Sequence, residues 1–395
     1  MSSSNLVRVT AIEEVSYGVT PGAGNFDTVR FTSEALSGTP ETVESEQIRT
    51  DRLSSGQVVT GITVGGDLSF ELAKEDTIDL FIASAMYSSW GTQALVTVDL
   101  TITAATKRID RASGTWSAAL VVGDIITLSG FVNAANNVQV MIAEFIDADT
   151  IRYVGPEGMV DEAGTGTAYK RADKISIGTT KKSFSMEKAF LDLTTKAINY
   201  RGMIVSTMEI SVAFGELVTG TFGFSGNGYV TADAANEFMT DGRTIDAPAT
   251  TQSMNGSVDM PFIANSASGT FEDDSGFCIQ SLTMNLNNNL NPQNCIGNIA
   301  PEDYTPGTAQ VEISLSAYLK DETWDILENK LEQTPFAIGF QLKNSGGWYG
   351  FYMPAVQVSF DDPASAGANQ DVILDMTGQA KVGSNGESSL TIYRS

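Results

Sequence analysis

Apolar and polar residues alternate along much of the chain, as in Leu68-Ser-Phe70-Glu-Leu72, Met208-Glu-Ile210-Ser-Val212, Val311-Glu-Ile313-Ser-Leu315 and Val356-Gln-Val358-Ser-Phe360. Neighbouring side chains of a strand point to opposite faces, so this period predicts strands with one buried face. Only two stretches change to a helical period. One is Glu75 to Tyr87, with Ile78, Phe81, Ile82 and Ala85 on one face; the other is Asp321 to Leu331, with Trp324, Leu327 and Leu331. Both open on acidic residues, which favour a helix N-terminus through its dipole. The chain is therefore expected to be mainly β.

The two helices expose an internal duplication. Lys74-Glu-Asp-Thr-Ile-Asp-Leu-Phe81 matches Lys320-Asp-Glu-Thr-Trp-Asp-Ile-Leu327 in residue class, and each follows an alternating strand. The strands do not share that register: Leu68, Phe70 and Leu72 fall on Ser314, Ser316 and Tyr318, so an inserted or bulged residue is expected. A second pair, Tyr200 to Phe214 and Trp348 to Phe360, follows in the same order.

These patterns predict a first β unit over residues 1–91 and 172–231 and a second over 271–395. A small inserted β domain is expected at 92–171, with strands Ile125 to Leu128, Val138 to Phe145 and Thr150 to Val154. An insert usually leaves from a surface loop, which places this one on the outside. Residues 232–270, poor in periodicity apart from Met260-Pro-Phe-Ile263, read as a linker or strap. Two polar stretches, Glu34 to Gln57 and Asn285 to Thr308, lead to the strand before each helix and read as functional loops.

Charge narrows the chemistry. The 395 residues hold 23 Lys and Arg against 48 Asp and Glu, a formal net charge of −25, so duplex DNA is repelled. The same acidity also serves solubility. With no histidine, the chain lacks the usual neutral-pH proton shuttle, the Ser/His and Cys/His pairs and the commonest metal ligand. Cys278 and Cys295 are too far apart for a CxxC motif and are expected as free buried thiols, the alternative being a bridge across that loop in an oxidising compartment. No apolar run approaches the roughly 20 residues that cross a bilayer, and the first residues lack the pattern of a secretion signal.

The order of Phe31-Thr-Ser-Glu-Ala-Leu36, Thr42 to Arg52 and Val64-Gly-Gly-Asp-Leu-Ser-Phe-Glu-Leu72 resembles that of the major tail tube proteins of siphophages. The likeness continues through Asn288-Asn-Leu290, Cys295-Ile-Gly297 and Gly307-Thr308. The resemblance implies two tail-tube β-sandwich or barrel domains, each with one flanking α-helix, besides the insert. It further implies six domains per ring, hence homotrimeric pseudo-hexamers stacked head-to-tail into a hollow tube. Tail terminator and tail-tip proteins are the expected partners, the virion tail the expected location, and the host cytoplasm the place of assembly. Double-stranded DNA would pass through without specific binding.

On that resemblance, Glu44, Glu46, Arg49 and Arg52 are candidate contacts to the next ring, and the alternative for them is a solvated charged loop. Asp67, Glu71, Glu209 and Glu312, on the non-core face of alternating strands, are candidate lumen carboxylates. Alternation alone would let each face outer solvent instead.

No catalytic, cofactor or metal site is expected. Asp273-Asp274 and Asp361-Asp362 are adjacent pairs whose members point apart on a strand, so neither forms a catalytic couple. Asp147-Ala-Asp149 lacks the spacing of a calcium loop, and Gly220 to Gly228 lacks the pattern of a nucleotide site. The competing reading is a β-rich phage baseplate or surface adhesin module whose insert binds a receptor.

Overall fold

A computed structural model describes residues 3–395 except 49, 52, 55, 195, 234–237, 267–271, 274–277, 329–330, 364–366, 368–369 and 385. The first unit runs β1 (Val7–Glu13), β2 (Phe26–Val29), β3 (Ser33–Glu34), β4 (Ser37–Glu44), β5 (Gln57–Glu71) and α1 (Asp76–Ala85). After the insert come β6 (Asp173–Ser176), β7 (Phe184–Phe190), β8 (Ala197–Ala213), β9 (Thr219–Gly226) and β10 (Gly228–Ala232). The second unit runs β11 (Phe262–Ser266), β12 (Glu272–Asp273), β13 (Ile279–Asn287), β14 (Gln310–Tyr318) and α2 (Asp321–Glu328). It ends with β15 (Phe336–Asn344), β16 (Gly347–Ser359), β17 (Ile373–Ala380) and β18 (Thr391–Arg394).

The two units share one wiring. In the first, β1 pairs with β2 and β7, β7 with β8, β8 with β10 and β9, β9 with β5, and β5 with β3 and β4. In the second, β11 pairs with β12 and β15, β15 with β16, β16 with β18 and β17, β17 with β14, and β14 with β13. β3 and β4 together hold on β5 the place that β13 holds on β14, and every other named ladder has a counterpart in the same chain order. The strand β11 falls inside the stretch expected as a linker, yet it takes the place that β1 holds in the first unit.

Local marks fix the correspondence residue by residue. Each β7-type strand carries a bulge that starts at a phenylalanine, Phe184 and Phe336. The last rung before each helix is Leu72 N–H to the Val218 carbonyl and Leu319 N–H to the Val372 carbonyl. Leu72 therefore corresponds to Leu319 while Lys74 corresponds to Lys320, and Ala73 has no counterpart. The irregularity expected from the sequence is thus one residue fewer between β14 and α2.

The long strands β8 and β16 serve two layers. The first half of β8 lies between β7 and β10, and its second half between β9 and β13. Phe81 of α1 fills the gap between layers, its ring 5.1 Å from Phe184, 5.5 Å from Phe222 and 5.2 Å from Phe224. Where β5 leaves the sheet, Gly65 and Gly66 have φ of 158° and 137°. A Cβ there would meet the Phe224 carbonyl oxygen at 2.3 Å and that of Ala35 at 2.2 Å, so only glycine fits.

The second helix departs from expectation. It spans Asp321–Glu328, and Leu331, in a turn beyond it, is exposed; Trp324 is half exposed, while among the described side chains of the helix Thr323 and Ile326 are buried and Leu327 packs half-buried against the core. A helix this short presents barely two turns, and its packing face follows Thr323, Ile326 and Leu327, so of the expected face Leu327 packs inward while Trp324 and Leu331 do not. The cysteines differ too: Cys278 and Cys295 are free but exposed.

Residues 96–171 form a separate eight-stranded sheet that includes Ile125–Ser129, Gln139–Phe145 and Thr150–Val154, with its own core around Trp116, Ile126 and Tyr169. It leaves the chain after α1 but packs against the second unit, where Ile125, Met141 and Val154 meet Phe262, Trp348, Tyr352 and Tyr393. Asp124, fully buried at that seam, accepts from Lys174 Nζ at 2.9 Å and from the Tyr393 hydroxyl at 3.0 Å.

Candidate functional site

The two units meet edge to edge. The second half of β8 pairs with β13, so one sheet runs in the order β4, β5, β9, β8, β13, β14, β17, β16. Residues opposite one another in a ladder share a face, which lets each face be read as rows across the sheet.

One face is apolar. Leu68, Phe70, Phe222, Met208, Ile210, Met284, Leu286, Ile313, Leu315 and Met376 are all buried in the common core.

The other face is polar from edge to edge. One row reads Ser69, Thr221, Glu209, Asn285, Glu312, Gln379, Gln357. The next reads Glu71, Thr219, Ser211, Thr283, Ser314, Thr377, Ser359. Asp67 belongs to a third row with Gly223, Thr207, Asn287 and Gln310.

All four carboxylates singled out from the sequence, Asp67, Glu71, Glu209 and Glu312, therefore stand on this one face. Asp67, Glu209 and Glu312 are exposed, while Glu71 is half-buried and accepts a hydrogen bond from Ser253 Oγ at 2.6 Å. A fifth, Asp375, lies in a further row with Ser281 and Ser316 and was missed. Its signal was present in the alternation Leu374-Asp-Met376-Thr. The polar face of these rows carries no Lys or Arg. It can hold off a polyanion by like charge and offers phosphates no cation.

The ends of the sheet are different in kind. The stretch Glu34 to Gln57, expected as a loop, is largely a hairpin arm in which β4 pairs with the first half of β5. Val43, Val58 and Val59 are exposed on it, with Ile48 and Leu53 at its tip. Ile296 and Ile299 project beside it, the Ile299 carbonyl accepting from Ile62 N–H at 2.7 Å. Of the four candidate inter-ring residues, Glu44 closes β4 and accepts from Ser54 Oγ, and Glu46 is exposed. Arg49 and Arg52, like Asp274, lie outside the described residues. The charges stand out along the chain, whereas the apolar surface around them is assembled only by the pairing of β4 with β5.

At the opposite end of the same strands, the turn from β8 to β9 exposes Phe214 and Leu217, with Val258 nearby through the Ser257 hydroxyl that holds the Gly215 amide. Since Glu71 at the far end of β5 pairs with Thr219, this turn and the arm are separated by the length of the sheet.

Among the described residues no three metal-ligating side chains gather, and no helix is long and apolar enough to cross a membrane. The fold is β-rich, and among the described residues the sheet ends in open edges at β4 and at the end of β16. A family model described as phage tail tube protein matches residues 4–380, and the chain belongs to that family. A search of curated proteins found no match.

Proposed function

We propose that three copies of this chain close into a ring of six related β units, and that such rings stack head-to-tail into the tail tube of a siphophage. The observation that carries this reading is the single sheet spanning both units, polar and acidic on one face and apolar on the other. Ring closure gives the outer strands of that sheet a partner and removes exposed edges. The polar face then lines the lumen, where Asp67, Glu71, Glu209, Glu312 and Asp375 deny DNA the adhesive phosphate contacts that would slow ejection.

Stacking follows from the ends. An apolar arm at one end of the sheet and an apolar turn at the other form a heterologous contact that repeats without closing, and so builds a filament. Terminator and tail-tip proteins would cap the two ends, and assembly would take place in the host cytoplasm. Residues 92–171 sit outside the ring in this arrangement, and the second unit starts near Phe262.

Electron microscopy of the purified protein tests the reading: long tubes with an open lumen are expected, whereas small discrete oligomers would favour an adhesin or baseplate module. Val59→Asp or Phe214→Asp should leave single-chain stability within about 0.5 kcal/mol, because both side chains are exposed, yet abolish tubes. Tubes from either variant would remove the stacking surfaces from the account. Glu209→Lys with Glu312→Lys should assemble normally and hold DNA in a salt-dependent way, and DNA retention equal to wild type would remove the lumen assignment.

A further inference from the structure

The chain contains a template for the joint between its own copies. Inside the molecule β8 of the first unit pairs with β13 of the second in the register Thr207 with Asn287 and Glu209 with Asn285. Phe214 N–H donates to the Gln280 carbonyl and Asn288 N–H to the Ser206 carbonyl. Hydrogen-bonded and non-bonded pairs alternate in an antiparallel ladder, so Thr207–Asn287 and Glu209–Asn285 are the close, non-bonded kind.

Each partner in this joint has a counterpart at the outer rim. Thr207 stands opposite Gly223, which stands opposite Asp67; Ser359 stands opposite Thr377, which stands opposite Ser314. Because Leu72 corresponds to Leu319, Asp67 corresponds to Ser314, and so Thr207 to Ser359 and Glu209 to Asp361. On the other side Asn285 stands opposite Glu312 and Ser37 opposite Gly65, which makes Ser37 the counterpart of Asn285 and Thr39 that of Asn287. Beyond Val356, β16 has β17 on one flank and no described strand on the other; β4 has β5 alone.

We propose that the end of β16 in one copy pairs antiparallel with β4 of the next, in the register Ser359 with Thr39 and Asp361 with Ser37. The Lys381 N–H bonded to the Ala355 carbonyl directs the backbone of residues 355, 357 and 359 toward β17, so Val358 points its own away from β17; its carbonyl accepts from Gln333 Nε2 at 3.3 Å, and its N–H is the group offered to the neighbour. Pro40 has no N–H and ends the ladder there, a place where an edge strand tolerates proline. The joint rests on the ring reading above but specifies strands and register that the reading leaves open.

Cross-linking tests it on the full chain. In a Cys278→Ser, Cys295→Ser parent, Thr39→Cys with Ser359→Cys places two thiols on a non-bonded pair whose Cα atoms stand about 4.5 Å apart, within disulfide range. Oxidised tubes should yield covalent dimers and a closed trimer on non-reducing gels, while either single variant stays monomeric. Tubes that form without this link overturn the register and leave the ring intact; a ladder reaching six overturns the three-chain ring. A parent that forms no rings or tubes overturns the ring reading itself. If only the double variant fails to assemble, hydrogen exchange on unmodified protein decides. Amides of Gly38 and Val358 should exchange at least tenfold more slowly in tubes than in the unassembled chain, and equal rates overturn the proposal.

Discussion

The two helices occupy matching places in matching units, yet they live in different surroundings. Ile78 of α1 is 2% exposed, and Trp324, its counterpart in α2, is 47% exposed. The difference lies in what covers them. The carboxylate of Asp79 receives the Tyr349 hydroxyl at 2.8 Å, the Arg394 guanidinium at 2.7 Å and the Lys74 ammonium, so the first helix is sealed by β16 and β18 of the second unit. The corresponding cover is incomplete over α2, where Trp324 keeps nearly half its surface open. On the ring reading, that cover comes from the next copy, and the exposure of Trp324 marks an unfinished seam.

Breaking the seal on α1 should have the largest effect. Asp79→Ala takes a carboxylate partner from two cations and the acceptor from a buried hydroxyl, leaving Arg394 only its longer contact to Asp173, and removing one partner of a buried ion pair typically costs about 3–5 kcal/mol. Lys74 and Arg394 retain some solvent, so a loss of about 3 kcal/mol in a urea melt is expected. A loss below about 1 kcal/mol would mean that the units do not depend on this contact.

Alkaline pH probes the same seam more gently. Burial and the neighbouring carboxylates of Asp79 and Asp124 push the Tyr349 and Tyr393 hydroxyls well above the ordinary tyrosine value. The folded chain therefore holds these protons where the unfolded chain releases them. Stability is complete below the unfolded value of about 10 and falls above it, by up to about 1.4 kcal/mol per pH unit for each tyrosine. Stability measured between pH 9 and 11.5 should fall steeply, and Tyr349→Phe with Tyr393→Phe should flatten that fall. An unchanged slope in the double variant would assign the alkaline loss to other groups.

Much of this was legible in residue order, for reasons that also mark the limits. Alternation in β5, β8 and β14 placed Asp67, Glu71, Glu209 and Glu312 on a non-core face, because a strand obeys one local rule over its whole length. That the four share one sheet depends on the β8–β13 ladder, a pairing between distant segments that no local pattern carries. The strand β11 was hidden because it is short and ends in Asn265 and Ser266, so its membership is decided by its partner β15. The packing face of α2 was misplaced in part because Leu331 extended the apolar pattern beyond Asp321–Glu328. The insert was visible as a unit, but its attachment to the second unit rests on Met141 beside Gly339 and Ile125 beside Gly350, where small residues admit a large neighbour.

The smallest effect on the single chain should come from Trp324, and it separates the two helices most directly. A half-exposed side chain contributes little to the fold of its own unit, so Trp324→Ala should lower single-chain stability by no more than about 1 kcal/mol, while Ile78→Ala, fully enclosed, should cost about 2–5 kcal/mol. Assembly should invert the ranking. If a neighbouring copy covers α2 as the second unit covers α1, the tryptophan becomes enclosed on ring closure, and its removal should raise the protein concentration needed for tubes by roughly tenfold or more. Tryptophan fluorescence supplies an independent readout, since enclosure of Trp324 should shift wild-type emission to the blue on assembly and the Trp324→Ala variant should lose most of that shift. An equal shift in both would place the cover of α2 elsewhere and make the two helices unlike in kind.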